Sequence, residues 1–227
     1  MLILPAQRLV VLEVPKTGSL ALRAMLEPFS AEADLAPKAP RHIRAEAFDQ
    51  RFRTDVEAAL GGPVELVAVL REPLRRLQSW YRYRRREQVS DSTVSTRAVS
   101  FNDFVTEYLA PKRPDRARLG RQDRFVGWDG ARALVDHLFD YRRTDLLVDF
   151  LSQRMAQPLR MPLRNISPDD DMADYTLDEA VLTRLLKRNS AEFALYSAVR
   201  EAGHMRSAPG EPESSGTAQP PDAGRVP

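Results

Sequence analysis

Cysteine is absent from the 227 residues, which excludes disulfide staples, thiolate metal sites and a cysteine nucleophile. Histidine occurs three times, at His42, His137 and His204, and no cluster of metal-ligand residue types stands out. An excess of one charge is missing too: 34 Lys and Arg face 32 Asp and Glu, so a strongly basic protein built to coat nucleic acid is excluded. No uncharged apolar stretch approaches the ~18–20 residues needed to span a bilayer. The start of the chain has neither a basic n-region nor a small-residue cleavage site, so the expected location is cytoplasmic. With 43% hydrophobic and 29% charged residues, the composition is that of an ordinary globular domain. Lysine is scarce, at Lys16, Lys38, Lys112 and Lys187, so each lysine is a candidate for a specific role.

Residues 8–14 (RLVVLEV) read as a buried strand of the parallel type, stopped by Pro15. A tight turn at 15–18 follows, and Ser19 opens a helical pattern reaching Phe29. After a Pro-rich stretch, residues 45–60 predict a helix broken by Gly61-Gly62-Pro63. Residues 64–70 (VELVAVL) predict a second buried strand, and Pro73 starts a helix running to about Glu87. Strand, loop and helix thus occur twice, which predicts an α/β fold with a doubly wound, mostly parallel central sheet flanked by helices.

Further along, the Ser/Thr-rich residues 88–100 and the basic residues 111–124 read as loops. Residues 134–141 read as a strand, 144–155 as a helix, and 177–202 as one or two helices with Leu182, Leu185, Leu186, Phe193, Leu195 and Val199 facing inward. One domain over residues 1–205 is expected, with residues 206–227 a disordered tail of Pro, Gly and Ser.

Two segments carry chemistry. In Pro15-Lys16-Thr17-Gly18-Ser19-Leu20, a loop leaves a buried strand and enters a helix, presenting free amides and the positive end of the helix dipole. Lys16 adds a mobile charge, Gly18 permits close backbone approach, and the Thr17 and Ser19 hydroxyls can donate to anionic oxygens. Lys-Thr-Gly-Ser alone also describes a polar turn with a capped helix. The first glycine of a Walker A loop is missing, and Lys16 precedes the only glycine of the segment. In the second segment, Arg71 leaves a strand end and Ser79 lies eight positions on, in the following helix. Both can donate to one phosphate.

PKTGS at one strand end and R-x-P-x-x-R-x-x-S after a later apolar strand resemble the nucleotide-binding signatures of sulfotransferases that use 3'-phosphoadenosine 5'-phosphosulfate (PAPS), especially the carbohydrate-sulfotransferase branch. The resemblance implies a P-loop-like fold, with Pro15 to Leu20 holding the 5'-phosphosulfate and Arg71 and Ser79 the 3'-phosphate. It continues more weakly through 122–125, 135–141, 165–167 and 193–196. Glu72 departs from the Asn or Asp of many members.

The implied reaction moves a sulfuryl group to a hydroxyl, or less favourably an amine, of a carbohydrate or small-metabolite acceptor. Lys16 would stabilise the leaving oxygen, and no metal is expected because the sulfuryl group carries less charge than a phosphoryl group. His42 sits where the family places its base, with Glu46 and Asp49 in reserve; a surface or capping role for His42 stays open. No specific nucleic-acid partner is expected. The competing readings are a nucleotide-dependent phosphotransferase and a non-catalytic binder of polyanions using the arginine-rich segments 82–86 and 111–124.

Overall fold

The computed structural model describes residues 1–89, 92–162 and 174–207. The 165–167 segment and the tail from residue 208 onward lie outside the described residues.

The apolar start of the chain is a strand, β1 (Leu2–Leu4), which the sequence reading passes over because three residues ended by Pro5 offer no periodicity. A tight turn returns the chain antiparallel as β2 (Leu9–Leu12). Then follow β3 (Glu65–Leu70), β4 (His137–Asp140) and β5 (His204–Arg206). The sheet is open and mostly parallel: β2, β3 and β4 run in parallel, and β1 and β5 are antiparallel edges. The register pairs Leu12 with Ala68 and Leu70 with Asp140, so the loops after β2, β3 and β4 leave along one border of the sheet. Such a border is where open α/β sheets bind ligands.

Helices cover both faces although the strand order follows the chain and never reverses. The connection from β2 to β3 accounts for this. It starts with α1 (Ser19–Leu26), passes around the β1 edge with α2 (Glu32–Leu35), and returns on the opposite face with α3 (Ala45–Arg51) and α4 (Arg53–Leu60). On the way the Ala31 amide donates to the Ile3 carbonyl, and the Ser30 hydroxyl accepts from the Ile3 amide. These bonds close an edge that would otherwise be free to pair with another chain. The helix expected over 45–60 is divided at Phe52, whose φ of −131° is not helical.

Alternate residues of each strand serve opposite faces. Val11, Val67 and Phe139 pack on Leu22 and Leu26 of α1 and on Leu147 and Leu151 of α8 (Thr144–Met155). Val10, Leu66 and Leu138 pack on Phe48 and Val56, and on Leu195 and Val199 of α10 (Ser190–Ala202). Each fully buried Leu or Phe contributes about 1.5–3 kcal/mol.

Beyond β3 come α5 (Pro73–Arg84), α6 (Phe101–Leu109), α7 (Gln122–Phe125) and α9 (Glu179–Arg188). The Glu72 carboxylate caps α5 by accepting from the amides of Leu74 and Arg75. That helix ends at Arg84 rather than near Glu87. Leu77, Tyr81, Phe104 and Tyr108 form a separate helical cluster with Val181 and Leu185. Leu186, expected to face inward, is 45% exposed, because α9 meets α6 through Val181 and Leu185 and turns the neighbouring stripe outward. At the other end, Arg206 completes β5, and the Ser207 hydroxyl exchanges hydrogen bonds with the Ala133 backbone. Ordered chain therefore passes residue 205. No helix among the described residues is long and apolar enough to cross a membrane.

His204 stacks on Phe139 with centroids 4.1 Å apart and shares a 3.0 Å hydrogen bond with His137. Burial holds both imidazoles below their usual pKa of 6.5, and a charge on His137 would further disfavour one on His204. The unfolded chain then binds more protons, so this pair's contribution to stability is fully present above about pH 6.5 and is lost as pH falls below it. Glu65, 3.7 Å from His137, opposes the effect in part. Urea midpoints should fall from pH 7 to pH 5 and fall less in His204→Gln; an equal slope in the variant would remove the pair as the cause.

Candidate active site

The loop between β2 and α1 is shaped by its own backbone. Lys16 and Gly18 both adopt left-handed conformations, with φ of 72° and 78°. Left-handed residues set among ordinary ones turn successive amides toward one concavity, an anion nest. Among the described residues, the amides of Lys16 to Leu20 find no carbonyl acceptor, whereas Ala21 and Leu22 bond back to Gly18. The buried Thr17 hydroxyl donates to the Val14 carbonyl at 2.8 Å, so it locks the loop rather than offering its proton to a ligand. A Cβ on Gly18 would lie 2.8 Å from the Tyr141 ring, which leaves glycine as the residue that fits. Ser19 is buried at the helix start, Pro15 is half-buried, and Leu20 is exposed.

Lys16 folds over α5, with its ammonium 4.2 Å from the Tyr83 centroid and 5.6 Å from that of Trp80. Burial, and then the guanidiniums of Arg86, Arg71, Arg82 and Arg84, pull its pKa down to about 8. Arg71, at the end of β3, donates from Nη1 to the Lys16 carbonyl at 3.2 Å and stacks 4.8 Å above the Tyr141 ring. Burial lowers its pKa as well, and Arg82 and Arg75 push in the same direction. On α5, Arg75, Ser79 and Arg82 succeed one another at spacings of four and three, so they share one helix face. Ser79 lies in the middle of that stripe, 8% exposed, and its hydroxyl bonds to no described residue. The ends of β2, β3 and β4 thus bring Gly18, Arg71 and Tyr141 together beside a crowd of positive charges that disfavour one another. Such a crowd favours an anion.

His42 is exposed, and its Nδ1 lies 2.7 Å from the Glu13 carbonyl. A carbonyl only accepts, so Nδ1 carries the proton and Nε2 keeps a free lone pair, the tautomer a general base needs. Glu13 is itself buried and anchored by Arg23 and Arg41. Of the reserve bases, Asp49 is paired with Arg53 at 2.5 Å and Glu46 is exposed.

Three residues matter to which the sequence reading assigns no role. Gln122 clamps Arg71, its side chain accepting from the Arg71 amide at 2.9 Å and donating to the Arg71 carbonyl at 2.7 Å. Glu192, 1% exposed, accepts from Gln122 and from Arg76. Tyr141 supplies the platform under Arg71 and Gly18. These partners lie 51 to 123 positions away, so no local pattern reports them.

The arginine-rich segments are more than a solvated face. Arg84 is buried and donates to the carbonyls of Asp115 and Arg116, and Arg121 pairs with Asp123. Beside the loop opens a cleft of about 400 Å³, walled by Val14, Pro15, Trp80 and several arginines. Among the described residues, no group of three or more His, Asp or Glu side chains is placed to hold a metal ion.

No protein-family model, curated protein or solved structure matches this chain.

Proposed function

We propose that the chain is a sulfotransferase using PAPS as donor, on a sulfotransferase-type fold. The observation that carries this reading is the convergence of the left-handed loop at 15–20 with Arg71 and the Ser79 stripe of α5. The residues fit such a donor. Unsatisfied amides from Lys16 to Leu20 suit the 5'-phosphosulfate, and Arg71 with Ser79 suits the 3'-phosphate. When bound, PAPS supplies the sulfuryl group and a leaving phosphate.

Lys16 brings a charge to the oxygen on which negative charge builds, and the loop amides hold the oxygens around it without reorganising. His42 Nε2 takes the proton of the acceptor hydroxyl while Nδ1 stays fixed on Glu13. The acceptor is a carbohydrate or small metabolite.

The test is a thermal-shift titration with adenosine 3',5'-bisphosphate against ATP plus Mg²⁺. At a concentration of about 100 times Kd a ligand stabilises the native state by ~2.7 kcal/mol, or roughly 5–10 °C for a domain of this size. The bisphosphate should give that shift selectively. Arg71→Ala should reduce it more than it reduces the shift with adenosine 5'-phosphate. A selective shift with Mg-ATP would transfer the assignment to the phosphotransferase.

A further inference from the structure

Two aromatic rings of α5 each carry two cations. The Lys16 ammonium and the Arg86 guanidinium share Tyr83, at 4.2 and 5.3 Å from its centroid, and Lys16 and Arg84 share Trp80, at 5.6 and 4.9 Å. Arg71 reaches the same place from the end of β3, with its Nη1 bonded to the Lys16 carbonyl. Arg82 adds a further charge from α5, and its buried Nε has no partner among the described residues. Arg71, Arg82 and Arg84 form no ion pair with a described carboxylate. Guanidiniums keep their protons, so among these cations Lys16 alone can shed its charge.

An amine that has lost its proton is a nucleophile. With its pKa drawn down to about 8 by burial and by the guanidiniums, Lys16 carries the free amine in about one molecule in four at about pH 7.5, against about one in a thousand for an ordinary lysine. Its side chain is half-buried, so a small electrophile reaches it. The other three lysines, Lys38, Lys112 and Lys187, are exposed to water. The α-amine of Met1 is 2% exposed and lies 3.2 Å from the Glu13 carboxylate, which opposes a second anion there.

We infer that Lys16 Nζ is a reversible carbon dioxide site, forming a carbamate that the surrounding arginines hold and that excludes an anionic ligand from loop 15–20. The amine lone pair attacks the carbon of CO₂, an N–C bond forms, one C=O electron pair moves onto oxygen, and a proton passes from nitrogen to water. The head group thereby changes from one positive charge to one negative charge. An aromatic face attracts a cation and repels an anion, so the carbamate leaves the Tyr83 and Trp80 faces for the guanidinium donors of Arg71 and Arg82. Carbamate formation needs no nucleotide; its exclusion of adenosine 3',5'-bisphosphate rests on the reading of loop 15–20 as the donor site. There the carbamate occupies Arg71 and removes the ammonium from the leaving oxygen, so CO₂ lowers turnover.

The test is carbon-13 NMR of the full chain in a sealed tube of labelled bicarbonate buffer. A carbamate resonance should appear that Lys16→Arg lacks, since arginine keeps a cation there and offers no free amine. In the unaltered protein, alkylating the carbamate oxygen with a trialkyloxonium salt and mapping the peptides should place the added mass on Lys16. Absence of that resonance, or an adduct on other residues only, overturns the proposal. Adenosine 3',5'-bisphosphate, titrated at fixed pH and with ionic strength matched by chloride, should bind about fivefold or more weakly in bicarbonate, and by reciprocity the resonance should fade as the nucleotide saturates. The weakening should vanish in Lys16→Arg; if it persists there, bicarbonate is a simple competing anion and the covalent exclusion is wrong. Failure of the bisphosphate to bind without bicarbonate overturns the donor reading and leaves the carbamate standing.

Discussion

Lys16→Ala should lower the turnover of the proposed sulfuryl transfer by about 10²–10³-fold, the usual cost of removing one preorganised donor to a developing oxyanion. The fold should survive, because what the side chain gives the resting protein is a cation–π contact with Tyr83, worth roughly 0.5–1 kcal/mol. The left-handed φ of 72° remains in the variant, so its strain does not enter the comparison. A pH arm separates charge from shape. The ammonium is depressed to about 8 by burial and by the guanidiniums around it, so in the free protein its charge is present below that pH and lost above it. An anion binds the charged form better, so affinity for adenosine 3',5'-bisphosphate should fall as pH rises past about 8 in the unaltered protein. In Lys16→Arg that fall should disappear, since the guanidinium keeps its proton. Near-normal turnover in Lys16→Ala, or an unchanged pH dependence in Lys16→Arg, would remove Lys16 from the chemistry.

The sequence makes legible whatever is local. Buried runs announce β2, β3 and β4, and Pro15 and Pro73 mark where the anion loop and α5 begin. The loop residues Lys16 and Gly18 and Arg71 stand at the ends of β2 and β3, and His42 lies in irregular chain before α3, with its Nδ1 at the Glu13 carbonyl. Short edge strands do not announce themselves: Leu2–Leu4 and His204–Arg206 gain their hydrogen bonds from neighbours, and three residues hold no periodicity. The division of the 45–60 helix at Phe52 is equally silent, since that ring is drawn to the core beside Phe48 and breaks the backbone as it turns. Charge patterning misleads for a different reason. A run such as Arg82 to Arg86 reads as one solvated face, whereas the fold buries Arg84 against two carbonyls and lays Arg82 over the Tyr175 ring at 5.9 Å, where its charge still lowers the Lys16 pKa. What cannot be read at all is the polar scaffold behind Arg71, because every bond in it except that of Asn189 to Glu192 joins residues distant in the chain.

That scaffold sets the second large effect: Glu192→Ala should destabilise the protein by about 3–5 kcal/mol, the range for breaking a buried ion pair from one side. One Glu192 oxygen accepts from Arg76 Nη2 at 3.1 Å, from the Gln122 amide at 2.9 Å and from Gln122 Nε2 at 3.2 Å. The other accepts from Asn189 at 3.1 Å. Alanine leaves the Arg76 guanidinium, 3% exposed, with the Gly120 carbonyl at 2.7 Å and no countercharge, and its Nε already lacks a partner. Against a total stability of about 5–15 kcal/mol, the loss is a large fraction. Glu192→Gln keeps an acceptor in place and should cost less, which makes it the variant in which function is measured. Gln122 is held by Glu192 and in turn holds the Arg71 backbone, so Glu192→Gln should weaken adenosine 3',5'-bisphosphate more than adenosine 5'-phosphate, the same selectivity expected of Arg71→Ala. A purely structural role predicts equal weakening of both nucleotides. Urea denaturation reads the first effect and paired titrations the second; a loss below about 1 kcal/mol in Glu192→Ala would mean that the carboxylate is not the hub its four hydrogen bonds describe.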